Sequence, residues 1–394
     1  MNRITVVALA FLVTTAALPA AAVGAGASAA SPSQQSDGSA DASAYAGTHV
    51  AFDASSNALV DYRVDGEQVF ENVTVASQSD HHSRTDLGSN VGLDAVANLS
   101  GLGLDLRAQS ETRAEIATEG SASMTAHDSE RGILTVDAGT EAQYVEVDLA
   151  DNSTATAESD DRVVVNGSER TGAFVVVGDG EVAVTENRTV TADLESDSTL
   201  VFRSYAEGER DENAAEQERL IANGTATAEL YAEERDGERV ADVATYGQDI
   251  AVNASEESRD RLEMSIERAQ HEGTVVITSV SEAAVAGAES ADDLAVTVDG
   301  EAAARASSYS ELEGGIGEEP RYMVTQSSDA AAAADVLVAI DHFSERDVVV
   351  QSADGSGDDG GSDGDGEGED SVPGFGVGAS LVALLIGTAA RLRR

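Results

Sequence analysis

Asp80-His81-His82 is the one place in this chain where metal-ligating side chains cluster. Two imidazoles beside a carboxylate are the right donors for zinc. Neighbours on an extended chain point to opposite faces, however, so the pair could share an ion only across a turn. The adjoining Ser79, Ser83 and Arg84 suit a solvated loop, and no metal is expected there. His127, His271 and His342 each sit alone among polar neighbours and read as surface residues. Carboxylates are too numerous to be informative: among 73 Asp and Glu, pairs suited to general acid–base work arise by accident. Residues 360–364, GGSDG, match a nucleophile-elbow pattern, but no strand or helix flanks them. The Asp-Gly alternation around them lacks the Glu and apolar positions of a calcium loop. There is no Walker loop, zinc-protease signature or dinucleotide fingerprint. With no Cys, disulfides, thiolate metal sites, Cys nucleophiles and a lipid anchor on an N-terminal Cys are excluded. No catalytic residue, metal or cofactor is assigned.

A second kind of chemistry is better marked. Ser and Thr fill 66 of 394 positions and Asn fills 11, so chance predicts about two N-x-[ST] sequons. There are seven, at Asn72, Asn98, Asn152, Asn166, Asn187, Asn223 and Asn253. The excess predicts N-glycosylation by an oligosaccharyltransferase, hence an exported chain. Asn166 and Asn223, each followed by Gly, read as turn positions, and Asn187 lies between two apolar runs.

Composition narrows the setting. All 23 basic residues are Arg, and the formal charge is −50. Such a surface repels itself at ordinary ionic strength. Near 1 M salt the Debye length falls to ~3 Å, and that repulsion is largely screened. Arg in place of every Lys, with acids in large excess, resembles proteins of extremely halophilic archaea. Without a basic stripe, nucleic acid is not a partner. Aromatics make up 4% of the chain and Trp is absent, so stacking platforms for bases or sugars are scarce.

The termini give the location. MNRITVVALAFLVTTAALPAAAVGAGASAA has one Arg, an apolar stretch from Ile4 to Leu18 and A-x-A patterns after it. That is a secretory signal peptide, assigned to residues 1–27, with a disordered Ser/Ala-rich segment over 28–46. Residues 352–371 hold eight acids, no base and no apolar side chain larger than Ala, and are expected to be a disordered acidic linker. Residues 372–394 follow as VPGFGVGASLVALLIGTAARLRR. The apolar run Phe375–Ala390 makes about 24 Å of helix, short of the ~30 Å hydrocarbon core. Arg391, Arg393 and Arg394 act as a cytoplasmic stop. Pro373 keeps the junction extended and open to a protease.

The sequence Pro373-Gly374-Phe375, an apolar segment and RLRR resembles the PGF-CTERM sorting signal of archaeal surface proteins. The resemblance covers about 23 C-terminal residues. It implies removal of the tail by a membrane-embedded archaeosortase and attachment of the new terminus to a prenyl-derived lipid. The expected role is that of a membrane-anchored cell-surface protein, structural or interactive, with other envelope proteins as partners. A surface solute- or metal-binding module and a secreted hydrolase are the alternatives.

The body that must carry any site lies between about Gly47 and Val350, and its pattern has period two. LEMSI (262–266) alternates strictly, as a half-buried strand does. Asp65-Gly66, Asp179-Gly180, Asp236-Gly237 and Asp299-Gly300 each follow an apolar run and read as type I′ hairpin turns. The expectation is an all-β, antiparallel sandwich-like fold, with a partial β-solenoid over 60–200 as the alternative. Roughly 300 residues exceed a comfortable single core, so two β domains are expected, 47–208 and 209–351. Residues 209–221 are acid- and Arg-rich enough for a helix. Residues 255–270 could be helical too, but strand is preferred. The Ala run 330–334 could form one short helix.

Overall fold

The computed structural model describes residues 43–79, 102–151, 153–185, 189–235, 237–247, 250–258, 261–268, 272–281, 293–326, 333–342 and 345–352. Strands dominate, in four open sheets, and the fold is all-β and sandwich-like. Sheet one runs β1 (Ser43–Ala46), β2 (Val50–Ala54), β3 (Leu59–Val64), β4 (Glu67–Ser77), β9 (Gln143–Leu149), β14 (Thr189–Leu194) and β13 (Gly180–Val184). Sheet two runs β10 (Thr154–Ser159), β11 (Arg162–Asn166), β12 (Arg170–Val177), β15 (Thr199–Ala206), β8 (Leu134–Asp137), β7 (Ser123–His127), β6 (Arg113–Thr118) and β5 (Leu104–Gln109). Sheet three runs β17 (Glu238–Thr245), β16 (Ala226–Arg235), β20 (Glu272–Ser281), β25 (Ala333–His342), β24 (Arg321–Gln326) and β23 (Ala304–Arg305). Sheet four runs β18 (Ile250–Ser258), β19 (Arg261–Arg268), β26 (Glu345–Ser352), β21 (Leu294–Val298) and β22 (Glu301–Ala302). Pairing is antiparallel except for β16 with β20 and β23 with β24, which are parallel.

The apolar runs explain themselves once the layers are known. Phe174 and Val176 of β12 enter the core between sheets one and two, whereas Ala173 and Val175 enter a second core shared with sheet three. In β20, Val276 and Val280 pack toward sheet four, and Val275 and Ile277 toward the shared core. Strands buried on both faces read as continuous hydrophobic runs. By contrast β19 is buried on one face only, through Leu262, Met264 and Ile266, and it alternates. Residues 60–200 close into the first sandwich rather than a solenoid. Rings reinforce that core: Tyr45, Phe52, Tyr62 and Phe70 stack in sequence at centroid distances of 5.5, 6.0 and 5.4 Å.

Turn chemistry follows the expected pattern in two of the four Asp-Gly pairs and in the described half of a third. Asp65 (φ 51°) with Gly66 (φ 83°) joins β3 to β4, and Asp299 (φ 52°) with Gly300 (φ 79°) joins β21 to β22. Gly237 (φ 84°) lies in the two-residue link between the paired strands β16 and β17. The Asp179-Gly180 expectation fails. There Gly178 takes the left-handed turn (φ 92°) and the chain crosses from sheet two to sheet one, where β13 pairs with β14 instead of β12.

Helix α1 (Glu212–Ala222) lies within the shared core, burying Leu220 and Ile221. The side chain of Asp211 caps it by accepting the Ala214 N–H at 2.9 Å, and Glu212 complements the helix dipole. Its end is a Schellman turn: Thr225 N–H donates to Leu220 O, Gly224 N–H to Ile221 O, and Gly224 has φ 67°. A single further turn, α2 (Tyr309–Glu313), packs Leu312 into the same core. The short helix expected at the Ala run is corrected. Its described part, from Ala333, begins the central strand β25, where Ala334, Val336, Val338 and Ile340 face sheet four. Burial on both faces overrides the helix propensity of alanine there.

Candidate functional site

A cavity of about 120 Å³ opens between sheets two and three. Its wall comes from the turn Ser129–Arg131 after β7, from Ser204 and Tyr205 of β15, from α1 and its lead-in, and from β16, β20, β24 and β25. Each piece is fixed locally. Asp128, almost wholly buried, accepts the N–H groups of Thr48, His49 and Val50 at 2.8, 2.8 and 2.6 Å and ties β2 to the turn. Tyr62 donates to Gly132 O at 3.1 Å, and Gly132 takes φ 46° to bring the chain into β8. Arg131 O accepts both the N–H and the hydroxyl of Ser204, at 2.8 and 3.0 Å.

The floor is a charged network with almost no solvent. Arg203 and Glu229 are completely buried and pair at 3.0 Å. Glu229 also accepts Arg131 at 2.7 Å and the Tyr246 hydroxyl at 2.7 Å. Arg131 continues to Asp335 at 2.6 Å, which in turn accepts Gln217 and Ser279 at 2.8 and 2.7 Å. Both guanidinium groups lie over the Tyr205 ring, at 5.9 and 5.5 Å from its centre. Burial opposes the charges on Glu229 and Asp335, but Arg203 and Arg131 outweigh it at Glu229, and Arg131 with the hydrogen bonds from Gln217 and Ser279 does so at Asp335, holding both carboxyls below their usual range.

Above this floor the polar groups are not all satisfied. The Tyr231 hydroxyl and the Ser129 Oγ are buried and have no hydrogen-bond partner, and both residues line the cavity. Burial, helped by Glu229, pushes Tyr231 well above its ordinary value, so its hydroxyl remains a donor. Five carboxylates line the cavity, Glu130, Glu209, Asp211, Glu233 and Asp335, against one guanidinium, Arg131. Glu233 is bound by His49 at 3.1 Å and by Arg235. Glu130 makes no ion pair among the described residues. Burial, reinforced by Glu233, Asp65 and Glu209 against the counter-effect of His49, pushes its carboxyl up.

Beside the cavity, His49 bridges the two halves of the chain, between Asp65 at 2.8 Å and Glu233. Burial would lower its pKa, yet the two carboxylates outweigh that and push it up to about 10.

The residues singled out from sequence are distributed differently. His127 is a correction: far from being a surface residue, it is buried and its Nδ1 meets Asp242 at 2.7 Å. That partner arrives from β17, 115 positions away, which no local pattern announces. His342 is exposed beside Asp341. Asn166, Asn223 and Asn253 are exposed, at the end of β11, at the C-cap of α1 and in β18. Asn72 is half-buried in β4, and its amide donates to Asp148 at 2.7 Å. Asp80, His81, His82, His271, Asn98, Asn152, Asn187 and residues 353–394, including Pro373, Gly374, Phe375 and the terminal arginines, lie outside the described residues. Among those described, no three His, Asp or Glu side chains are grouped to hold a metal, and no helix is long and apolar enough to cross a membrane. The cavity residues were not foreseen. They come from seven segments, and only the apolar pattern of their host strands was visible.

No family model and no characterised protein matches this chain. Among solved structures, a mutant of a family 81 glycoside hydrolase from Clostridium thermocellum aligns at 10% identity with a TM-score of 0.30. The alignment covers 77% of this chain and 34% of that one, so the chain spans about a third of its length.

Proposed function

We propose that the chain is an exported, N-glycosylated surface protein, tethered to the membrane through its C-terminus, whose β body binds a small polar solute. Export and tethering rest on the leader, the acidic linker and the Pro373-Gly374-Phe375 tail, and the exposed Asn166, Asn223 and Asn253 are compatible with sugar attachment. Binding rests on one observation: the cavity between sheets two and three gathers five carboxylates, the Arg131 guanidinium and the polar side chains of Asn213, Gln217 and Ser279 around one space.

Two measurements test the reading. Intact-mass analysis of protein extracted from membranes should show residues from about Phe375 onward replaced by a lipid; a mature chain ending at Arg394 refutes the processing. Equilibrium dialysis of the folded protein against a panel of small polar solutes should find at least one saturable binder; a panel in which none binds refutes the reading. A secreted hydrolase is the second reading, because Glu130 and Glu233 line one cavity with their pKa values displaced in opposite directions. Glu233, however, is engaged by His49 and Arg235, which leaves Glu130 without a free carboxylate partner of that kind, and binding ranks first.

A further inference from the structure

Seven sequons are not seven equal sites, and the fold separates them. Transfer of an oligosaccharide to asparagine joins the side-chain amide nitrogen to the anomeric carbon of a lipid-phosphate-linked sugar. The amide gives up one proton, and the sugar–phosphate bond breaks with its electron pair leaving on phosphate. The acceptor therefore needs a free amide, on a segment that can leave its surroundings, with the hydroxyl of the third residue open to the enzyme.

Asn72 meets none of these conditions in the folded chain. Its amide donates to Asp148 Oδ2 at 2.7 Å, a bond strengthened by the carboxylate charge. The other oxygen of Asp148 accepts the Thr189 hydroxyl at 3.1 Å, which fixes the carboxylate in place across from Asn72. Thr74, which supplies the hydroxyl of this sequon, is 7% exposed and donates to Asn72 Oδ1 at 3.4 Å. The strand is held on both sides, since Asn72 pairs with Val60 of β3 and with Asp148 of β9. Val73 and Val75 are fully buried in the first core, so releasing the triplet means opening sheet one. The rim sequons differ. Asn166, Gly167 and Ser168 are all exposed, at a tip closed by the Gly167 N–H donating to Arg170 O at 2.9 Å. Asn223 and Gly224 are exposed at the end of α1, and Asn253 is exposed on β18, an edge strand of sheet four.

Resting on the reading that the chain is exported and N-glycosylated, we propose that folding closes the Asn72 sequon, with Asp148 as its clasp, and that Asn166, Asn223 and Asn253 on the rim carry sugar.

Purified, unglycosylated full-length protein, folded in molar KCl, is given to membranes that hold the oligosaccharyltransferase and its lipid-linked donor. Glycopeptide mass spectrometry then follows sugar at each site. Asn166, Asn223 and Asn253 should be modified, and Asn72 at least about a hundredfold more slowly than Asn166, because a central strand is exposed only by rare opening. Val75→Asp places a carboxylate in the first core and leaves the triplet intact, so Asn72 should be modified in step with the unfolding that circular dichroism reports. Asp148→Ala should raise the rate at Asn72 about tenfold in protein that still melts cooperatively, and leave Asn166 unchanged. Asp148→Asn keeps the volume and one acceptor; it should raise the rate less, and it replaces the alanine variant if that one does not fold. Modification of Asn72 in the folded wild-type chain at a rate near that of Asn166 overturns the closed sequon and leaves glycosylation standing. An Asn72 that stays empty in unfolded Val75→Asp overturns it too, and a rate that neither Asp148 variant changes overturns the clasp. If no sequon accepts sugar, the glycosylation reading falls with the proposal.

Discussion

Replacing Glu229 by Gln should expose how much of the fold rests on the buried charges. The substitution keeps the side-chain volume and removes one charge from a site with no exposure. Arg131 keeps Asp335, but Arg203, also fully buried, keeps only neutral acceptors: the Tyr205 hydroxyl at 2.9 Å, Gln217 at 3.0 Å and the amide oxygen of the substituted side chain. Leaving a buried charge unpaired costs about 3–5 kcal/mol. These neutral acceptors and the Tyr205 ring soften that, so about 3 kcal/mol is expected. A body of roughly 300 residues unfolds with an entropy near 2.1 cal/mol/K per residue, about 0.6 kcal/mol/K in all, which converts the loss to a fall in Tm of about 5 °C. Scanning calorimetry at several KCl concentrations measures it. The fall should persist in molar salt, since the pair is out of reach of screening ions. The double variant Arg203→Met with Glu229→Gln removes the orphaned charge as well, and should melt above Glu229→Gln alone. A fall of less than about 1 °C, or a double variant less stable than the single one, refutes the reasoning.

Three further outcomes follow from individual contacts. His49 has its folded pKa raised to about 10, so the stability it adds is complete below its unfolded value near 6.5 and fades as pH rises toward 10; His49→Gln should flatten the Tm–pH curve across that interval, by about 1–2 kcal/mol because the paired Asp65 is partly exposed. Asp128→Ala strips three backbone N–H groups and Arg235 of their acceptor, and should cost about 3 kcal/mol and speed hydrogen exchange at Thr48, His49 and Val50 more than elsewhere in sheet one. Gly273→Ala would place a methyl 2.2 Å from Ile340 O, inside backbone that cannot yield, and should lower stability by about 2 kcal/mol or more in chemical denaturation, whereas Gly66→Ala, with open space around it, pays only its positive φ, about 1 kcal/mol.

Local patterns carried the strands and most of the turns. The alternation of LEMSI and the Asp-Gly pairs at 65 and 299 are decided within a few residues, and the structure agrees with them. Residues 209–221 also held their helix, with Asp211 as a cap that the chain itself supplies. What depended on distant partners was not legible. The Ala run before Asp335 has a helical composition, but its described end, Ala333 and Ala334, is strand, paired with β20 and, at Ala334, with β24. His127 reads as polar surface until Asp242 arrives from the other half. The cavity is the extreme case, because Glu130, Tyr231 and Asp335 are ordinary members of an acidic, strand-forming sequence and acquire meaning only when two sheets and α1 bring them to one space.

Helix α1 also sets a distance. Its first turn and Gln217 face the cavity, while Asn223 closes the opposite end, six residues or about 9 Å along the axis beyond Gln217. A carbohydrate on Asn223, if attached, would hang from the far end of a helix whose near end lines the cavity. The protein can wear that decoration without plugging its own mouth.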